Sequence, residues 1–396
     1  MTTTALVLDA GGARSGYQVG VLQVLLPALD DLGARPRVLV GSSAGGLIAA
    51  AVAATARRTV ADQVEALGTL LGHGTKPRVM RPLWRQLPEM ALRYASETVG
   101  WSGFRLRGII DTGPLAATLR EHVDWGALHD NLADGTAVDT LAVTASSVRT
   151  GRVVLFTEGG RPLPDLPADR HRHYVRTRLT TDHLMASAAV PVLFPSVHVT
   201  EPAAAADWYV DGATRRRTPL APALDLGADR VVAVGTGRRE APESAPRDDG
   251  RDVDLADSAA TLLGAVMDDP LRHDLRRLRE TNVLAGDRGL ATALARAGGS
   301  DRPLREVPYV GIAPRDGDAL AAAALDTFRR NHGSLRATLR DPDLQIVHRI
   351  LGSDSPLQGE LLSYLMFDPD FSAVAADLGR KDARAWLREH PGVFVT

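Results

Sequence analysis

The sequence holds no cysteine. Disulfides, thiolate nucleophiles and cysteine-based metal sites are excluded, and nothing marks an oxidising compartment. Lysine is almost absent too. Lys76 and Lys381 are the only two, so a lysine-activated nucleophile has little to be built from. There is no excess of either charge. The formal net charge is −2 over 396 residues, which argues against a nucleic-acid partner held by general electrostatics. No apolar run approaches the ~20 residues that a membrane span needs. Residues Met1 to Asp9 lack a basic region and run straight into a strand pattern, so no signal peptide is expected. A soluble, cytoplasmic protein is expected, with at most peripheral contact with a membrane. The eleven histidines are scattered. No His, Asp or Glu grouping has the spacing of a metal site, and no cofactor is expected. What is present is an apolar fraction of 44%, enough for a sizeable core.

The stretch with the strongest local pattern is Val38-Leu39-Val40-Gly41-Ser42-Ser43-Ala44-Gly45-Gly46-Leu47. A β-branched run, a turn of small residues and an alanine-rich segment read as strand, tight turn, helix. The turn matches G-x-S-x-G, with Ser43 at its tip. A serine there is held in a strained conformation, and side chains at Gly41 and Gly45 would collide with the neighbouring strand and helix. The helix behind Ser43 would point its positive end at a developing oxyanion. An ordinary βα turn satisfies the same five residues. Upstream, Ala5 to Asp9 reads as a buried strand. The loop Ala10-Gly11-Gly12-Ala13-Arg14-Ser15-Gly16 follows, then a helix from Tyr17 to about Gly33. The unit is βαβ and implies a parallel sheet. Ala10 and Ser15 break the G-x-G-x-x-G dinucleotide fingerprint. Two readings stay open for this loop: a plain turn, or a row of backbone N–H groups able to hold an anion.

Residues 47–72 read as helical. Thr75 to Ile110, with Trp84, Tyr94, Trp101, Phe104, Met80, Met90, many arginines and Pro77, Pro82 and Pro88, reads as an irregular packed excursion or as a cap or lipid-facing surface. Leu115 to Val123 reads as a helix. Leu141 to Ser146 and Val153 to Phe156 read as a hairpin, and 158–176 as a polar loop. Thr180 to Asp182 can cap a helix ending at Val190-Pro191. Trp208 to Ala213 reads as a strand ending in an acidic turn, Pro219 to Leu226 as a helix and Val231 to Val234 as a buried strand. Arg215-Arg216-Arg217 is a phosphate patch or a solvated loop. The expected organisation is a catalytic core over 1–237, a charged linker over 238–255 and a mostly helical region over 256–396 that packs on the core. Val307 to Ile312 is the candidate late edge strand.

A serine hydroxyl needs a base to act as a nucleophile. A histidine would give a triad in the manner of the α/β-hydrolases; a carboxylate at a strand end is the other option, and Asp211-Gly212 fits it. Chain position favours the carboxylate, because Ser43 follows only the second strand and the glycine loop follows the first. Burial would raise the pKa of that aspartate and make it a stronger base. Gly212 would let the backbone turn the carboxylate over the elbow.

These residues resemble the patatin-like phospholipase family. Gly11-Gly12-Ala13-Arg14 with Tyr17-Gln18-x-Gly20-Val21-Leu22 is similar to its oxyanion loop and helix, and Gly41-Ser42-Ser43-Ala44-Gly45 to its elbow. Ala186-Ser187-x-Ala189-x-Pro191-x-x-Phe194-Pro195 is similar to its helix and proline turn, and Asp211-Gly212-Ala213 to its D-G-A/G signature. The tail from Leu362 to Ala383 is like those of some bacterial members. Ala10 and Ser15 stand where the family usually has glycines, and Thr218 near a usual asparagine. The resemblance implies a three-layer α/β/α fold with a mainly parallel sheet. It implies a lipid acyl hydrolase with catalytic Ser43 and Asp211 and oxyanion donors at Gly11, Gly12, Ala13 and Ala44. Arg14 would hold the loop or meet a lipid phosphate. The alternatives are a lipid- or partner-binding protein of the same fold that hydrolyses little, and a histidine-dependent α/β-hydrolase.

Overall fold

The structure, a computed structural model, describes residues 2–82, 84, 86, 108–164, 172–214, 220–237, 270–297, 304–333 and 358–396. The chain begins with β1 (Thr4–Leu8), which is buried at every position. Its residues alternate between two cores, as strand geometry requires. Leu6 and Leu8 join one apolar cluster, Ala5 and Val7 the other. A single 3₁₀ turn (Gly12–Arg14) leads into α1 (Ser15–Asp31). Next come β2 (Pro36–Ser42) and α2 (Ala44–Ala54). Helix α2 is built from alanine, glycine and aliphatic residues with no polar face, so it is buried nearly all round. Then follow α3 (Val60–His73), α4 (Lys76–Val79), α5 (Gly113–His122) and α6 (Trp125–Asp134).

The second half of the core starts with β3 (Thr140–Ser147), β4 (Val153–Gly159) and β5 (Arg172–Arg176). Helix α7 (Thr181–Ser187) precedes β6 (Val197–Val199) and β7 (Asp207–Asp211). Helix α8 (Leu220–Asp225) and β8 (Arg230–Val234) follow. Beyond residue 269 come α9 (Pro270–Ala285), α10 (Arg288–Ala297), β9 (Tyr309–Ile312) and α11 (Ala319–His332). The chain ends in α12 (Gln358–Leu365) and α13 (Pro369–Glu389).

The strands form one mixed, mostly parallel sheet in the order β5-β4-β3-β2-β1-β8-β9, with β7 on β3 and β6 on β7. β1 pairs in parallel with both β2 and β8, and β2 in parallel with β3. Helices cover both faces, so the three-layer α/β/α architecture is present. β9 pairs in parallel with β8, so the late edge strand is part of this same sheet. Helix α13 lies on α1 at glycine contacts too close for any side chain. A Cβ on Gly20 would come 2.0 Å from the Ala376 carbonyl oxygen, and one on Gly379 2.1 Å from that of Tyr17.

One expectation needs correcting, and two features carry no signal in the sequence. Residues 47–72 are helical as read, in two helices with a break at 55–59. Thr55 ends the first by bonding back to the Ala51 carbonyl, and Thr59 caps the second through the Asp62 amide. The polar run 158–176 was expected as a loop, yet β5 forms within it. Its polar residues find partners: Tyr174 donates to Asp225 at 2.8 Å and Arg172 pairs with the same carboxylate at 2.7 Å. β6 has only three residues and carries no readable period. The linker 238–255, residues 256–269, most of the cap-like excursion, Arg215 to Arg217, Thr218 and Pro219 lie outside the described residues.

Asp368 caps α13. Its carboxylate accepts from the Asp370 amide at 2.8 Å and faces Asn331 and His332. Burial works to raise its pKa, but hydrogen bonds from His332, the Asp370 amide and Asn331 outweigh it and hold the value below the ordinary 3.8. A depressed carboxyl stabilises the fold above its unfolded pKa and loses that contribution as pH falls through the folded value. Asp368→Ala is expected to cost about 1 kcal/mol in urea unfolding at pH 7. The gap from wild type should close as the buffer is acidified below about pH 4.

Candidate active site

Ser43 follows the last residue of β2 and precedes α2. It is 5% exposed, with φ 53° and ψ −130°. A non-glycine residue at positive φ is held there by its surroundings. Those surroundings are visible. A Cβ on Gly41 would sit 2.5 Å from the Gly45 carbonyl oxygen, and one on Gly45 2.4 Å from the Asp9 carbonyl oxygen. The glycines therefore let α2 press against both β2 and β1. The Ser43 amide donates to Ser187 Oγ at 2.9 Å, from the last residue of α7.

Asp211 reaches the same place from the other direction. β2 pairs with β3 as far as Ser42 opposite Thr144. At the next residue Ala145 is opposite Asp211 of β7. The other edge of β3 is taken by β4 through Ser146. β7 must therefore occupy the edge that β2 has just left, and the two strands meet end to end with Ser43 and Asp211 at the junction. Gly212 is pressed onto β3: a Cβ there would lie 2.6 Å from the Thr144 carbonyl oxygen. Asp211 is 2% exposed. Its amide donates to the Ala189 carbonyl, and its Oδ1 accepts from the Ala213 amide, both at 2.8 Å.

The glycine loop follows β1, the neighbour of β2. Gln18 Nε2 donates to the carbonyls of Asp9 and Val234 at 2.8 and 3.2 Å, pinning the ends of β1 and β8 together. Thr236 Oγ1 donates to the Ala10 carbonyl at 2.8 Å. Gly12 has φ +51°, and a Cβ there would meet the Tyr364 carbonyl oxygen at 2.5 Å. Outside the bonds within helices and strands, no backbone carbonyl among the described residues accepts from the amides of Gly12, Ala13 or Ala44.

These parts open into one cavity of about 550 Å³. Gly11, Gly12, Ala13, Ser43, Ala44, Asp211 and Ala213 line it; Gly41, Gly45 and Gly212 lie behind it as packing residues. The remaining wall is apolar, with Leu47, Leu71, Leu115, Leu119, Val190 and Phe194 among its residues. Such a surface suits a hydrocarbon chain. Ser15, where a glycine is usual, also faces it.

Arg14 does not reach the cavity. Its guanidinium is buried against the C-terminal helices: Nε donates to Ser363 Oγ at 2.5 Å, and Nη2 pairs with Glu360 at 2.9 Å. Burial opposes its charge, but Tyr364 and Glu360 outweigh that and raise its pKa. Of the two roles expected of Arg14, contact with a lipid phosphate is replaced by a structural one. Its partners lie some 350 positions away, too far for any local pattern to announce them. Ser187 was also missed as a site residue; it stood only as part of a helix-end motif.

His73 lines the cavity as well. Its ring stacks on His122 at 3.9 Å between centroids, and its Nδ1 accepts from Arg78. Burial, then His122 and Arg78, push its pKa below the ordinary value. His183 is committed elsewhere, to Thr180 and to the Glu201 carbonyl at 2.9 Å.

The profile of the family described as patatin-like phospholipase matches residues 6–224, more than half of the chain. The chain belongs to the patatin-like phospholipase family. The matched region runs from β1 through α8 and includes the glycine loop, Ser43 and Asp211. Membership places the chain among the lipid acyl hydrolases as a class. None of the curated proteins matches it. Two solved structures are similar over 98% of the chain. VipD from Legionella pneumophila is 12% identical, covered over 67% of its length, with a TM-score of 0.36. The ExoU–SpcU complex of the type III secretion system of Pseudomonas aeruginosa is 15% identical, covered over 72%, with a TM-score of 0.23. At these scores neither likeness carries an argument.

Within this family member, the Ser43 conformation depends on the acceptor beneath it. Ser187→Ala leaves the buried Ser43 amide without its partner and should cost about 1–3 kcal/mol. Thermal unfolding of the variant checks the loss.

Proposed function

We propose that the protein is a serine lipid acyl hydrolase that cleaves carboxylic esters of the phospholipase A or lysophospholipase kind with a Ser43–Asp211 dyad. The end-to-end meeting of β2 and β7 along β3, which leaves the two residues facing one apolar cavity, carries this reading. Ser43 Oγ attacks the ester carbonyl while Asp211 accepts the hydroxyl proton. The tetrahedral oxyanion lies against the amides of Gly11, Gly12, Ala13 and Ala44, each such donor being worth ~3–4 kcal/mol in the transition state. The N-terminus of α2 adds a positive potential at the same point. Collapse expels the alcohol, which takes its proton from Asp211. Water, deprotonated by Asp211, then releases the acid and restores Ser43.

No step of this scheme passes through a metal, so activity should survive chelators. Substrate would arrive from a lipid surface. No helix among the described residues is long and apolar enough to cross a membrane, and the proposal needs only peripheral contact.

Ser43→Ala and Asp211→Asn should each lower esterase turnover by on the order of 10⁴-fold or more. Circular dichroism should remain unchanged, because an asparagine Oδ1 can still accept from the Ala213 amide. An Asp211→Asn enzyme within tenfold of wild type would rule the dyad out. A second reading, histidine-assisted chemistry, takes its support from His73 in the cavity wall. It predicts that His73→Ala silences the enzyme while Asp211 is dispensable. A third, lipid binding with little hydrolysis, takes its support from Ser15 in the loop. It predicts no rapid labelling of Ser43 by a fluorophosphonate.

A further inference from the structure

The family match ends at residue 224, but the cavity does not. Leu361, Tyr364, Leu365, Phe367 and Ser372 line it together with Ser43 and Asp211. They come from α12, the turn after it and the start of α13. Leu361 and Leu365 are four residues apart on one helix and so share a face. That face borders the cavity. Leu362 and Met366, one position on, are fully buried in a separate apolar cluster with Ala13, Phe328 and Phe371. α12 is thus a partition, with one face on a solid core and the other on the cavity.

The partition is tied at both ends. At the nucleophile end Arg14 grips it. Besides its bonds to Glu360 and Ser363, its Nη2 donates to the Glu360 carbonyl at 3.1 Å, and its guanidinium lies 4.0 Å from the Tyr364 ring centroid. The Tyr364 carbonyl sits where Gly12 leaves no room for a side chain. At the other end the Phe367 carbonyl accepts from the Lys76 amide at 2.9 Å. Lys76 opens α4, and Phe367 packs on the cluster of Val79, Met80, Ile110 and Phe194. The wall is therefore positioned by the glycine loop on one side and by the α4 segment on the other.

The space it bounds is small. A cavity of about 550 Å³ lies within the roughly 300–1,000 Å³ of sites that take one small ligand. That is the scale of one acyl chain.

We propose that the segment Leu361–Phe367, outside the family's own region, is the acyl-measuring wall of the site, and that the cavity receives a single acyl chain whose length this wall limits. The proposal takes its chemistry at Ser43 from the reading above, but the wall can be tested without hydrolysis.

In the Ser43→Ala protein, saturated fatty acids from about 4 to 24 carbons, a range that runs past the length a cavity of this size holds, displace a fluorescent fatty acid. Affinity should rise about fourfold per added methylene up to a break point, then stop rising. Leu365→Ala and Phe367→Ala, which open the wall, should move the break point to longer chains. Leu361→Trp, which fills the cavity, should move it to shorter ones. Val283→Ser, an exposed position on α9, should leave it unmoved. The same order should appear in KM for p-nitrophenyl esters with Ser43 in place. The proposal is overturned if folded opening and filling variants, checked by circular dichroism, all keep the wild-type break point. It is equally overturned if affinity changes by one factor at every chain length. Break points that move as described, in a protein whose wild type hydrolyses no ester, would uphold the wall and reject the hydrolase reading alone.

Discussion

The site depends on one edge of one strand. β3 is longer than β2, and where β2 stops the same edge is taken up by β7 running the opposite way. Two chain ends then face each other within a sheet whose hydrogen bonds fix their register. Neither Ser43 nor Asp211 needs a long or flexible side chain to arrive there. The backbone delivers both, and the glycines at 41, 45 and 212 let it come close enough to do so. Rigid elements position side chains better than loops do, and the proposed dyad would rest on strand ends.

The glycine loop is held differently. Apart from Arg14, its own residues are too small to anchor it, so the other anchors come from around it. Gln18 ties it to β8, Thr236 fixes the Ala10 carbonyl, and Arg14 carries its far end into the C-terminal helices. A buried guanidinium is tolerable only when charged and hydrogen-bonded partners meet it. Glu360, Ser363 and Tyr364 do so. The helices beyond the family region are thereby fastened to the loop and border the same cavity.

Much of this was legible in the order of residues. The small-residue turn after an apolar run located Ser43, and the D-G-A turn at a strand end located Asp211. The first strands, the hairpin and α13 stood out because each pairs a clear period with a boundary signal. β5 did not, because its stability comes from side-chain partners on α8 and not from an apolar alternation. Thr55 and Thr59 were overlooked inside a run whose helical period continues across them.

The sequence by itself determined the local pieces: which turn bears a serine, which bears an aspartate, and that a run of small residues precedes a helix. These follow from backbone sterics and short-range periodicity, and such causes act within a few residues. Only the tertiary structure decided what each piece faces. The partners of Ser43's amide, of Arg14 and of Gly12 lie 144 to some 350 positions away. Contacts over such separations are set by which faces are left to pack once the sheet has formed. No pattern in the chain encodes that before it folds.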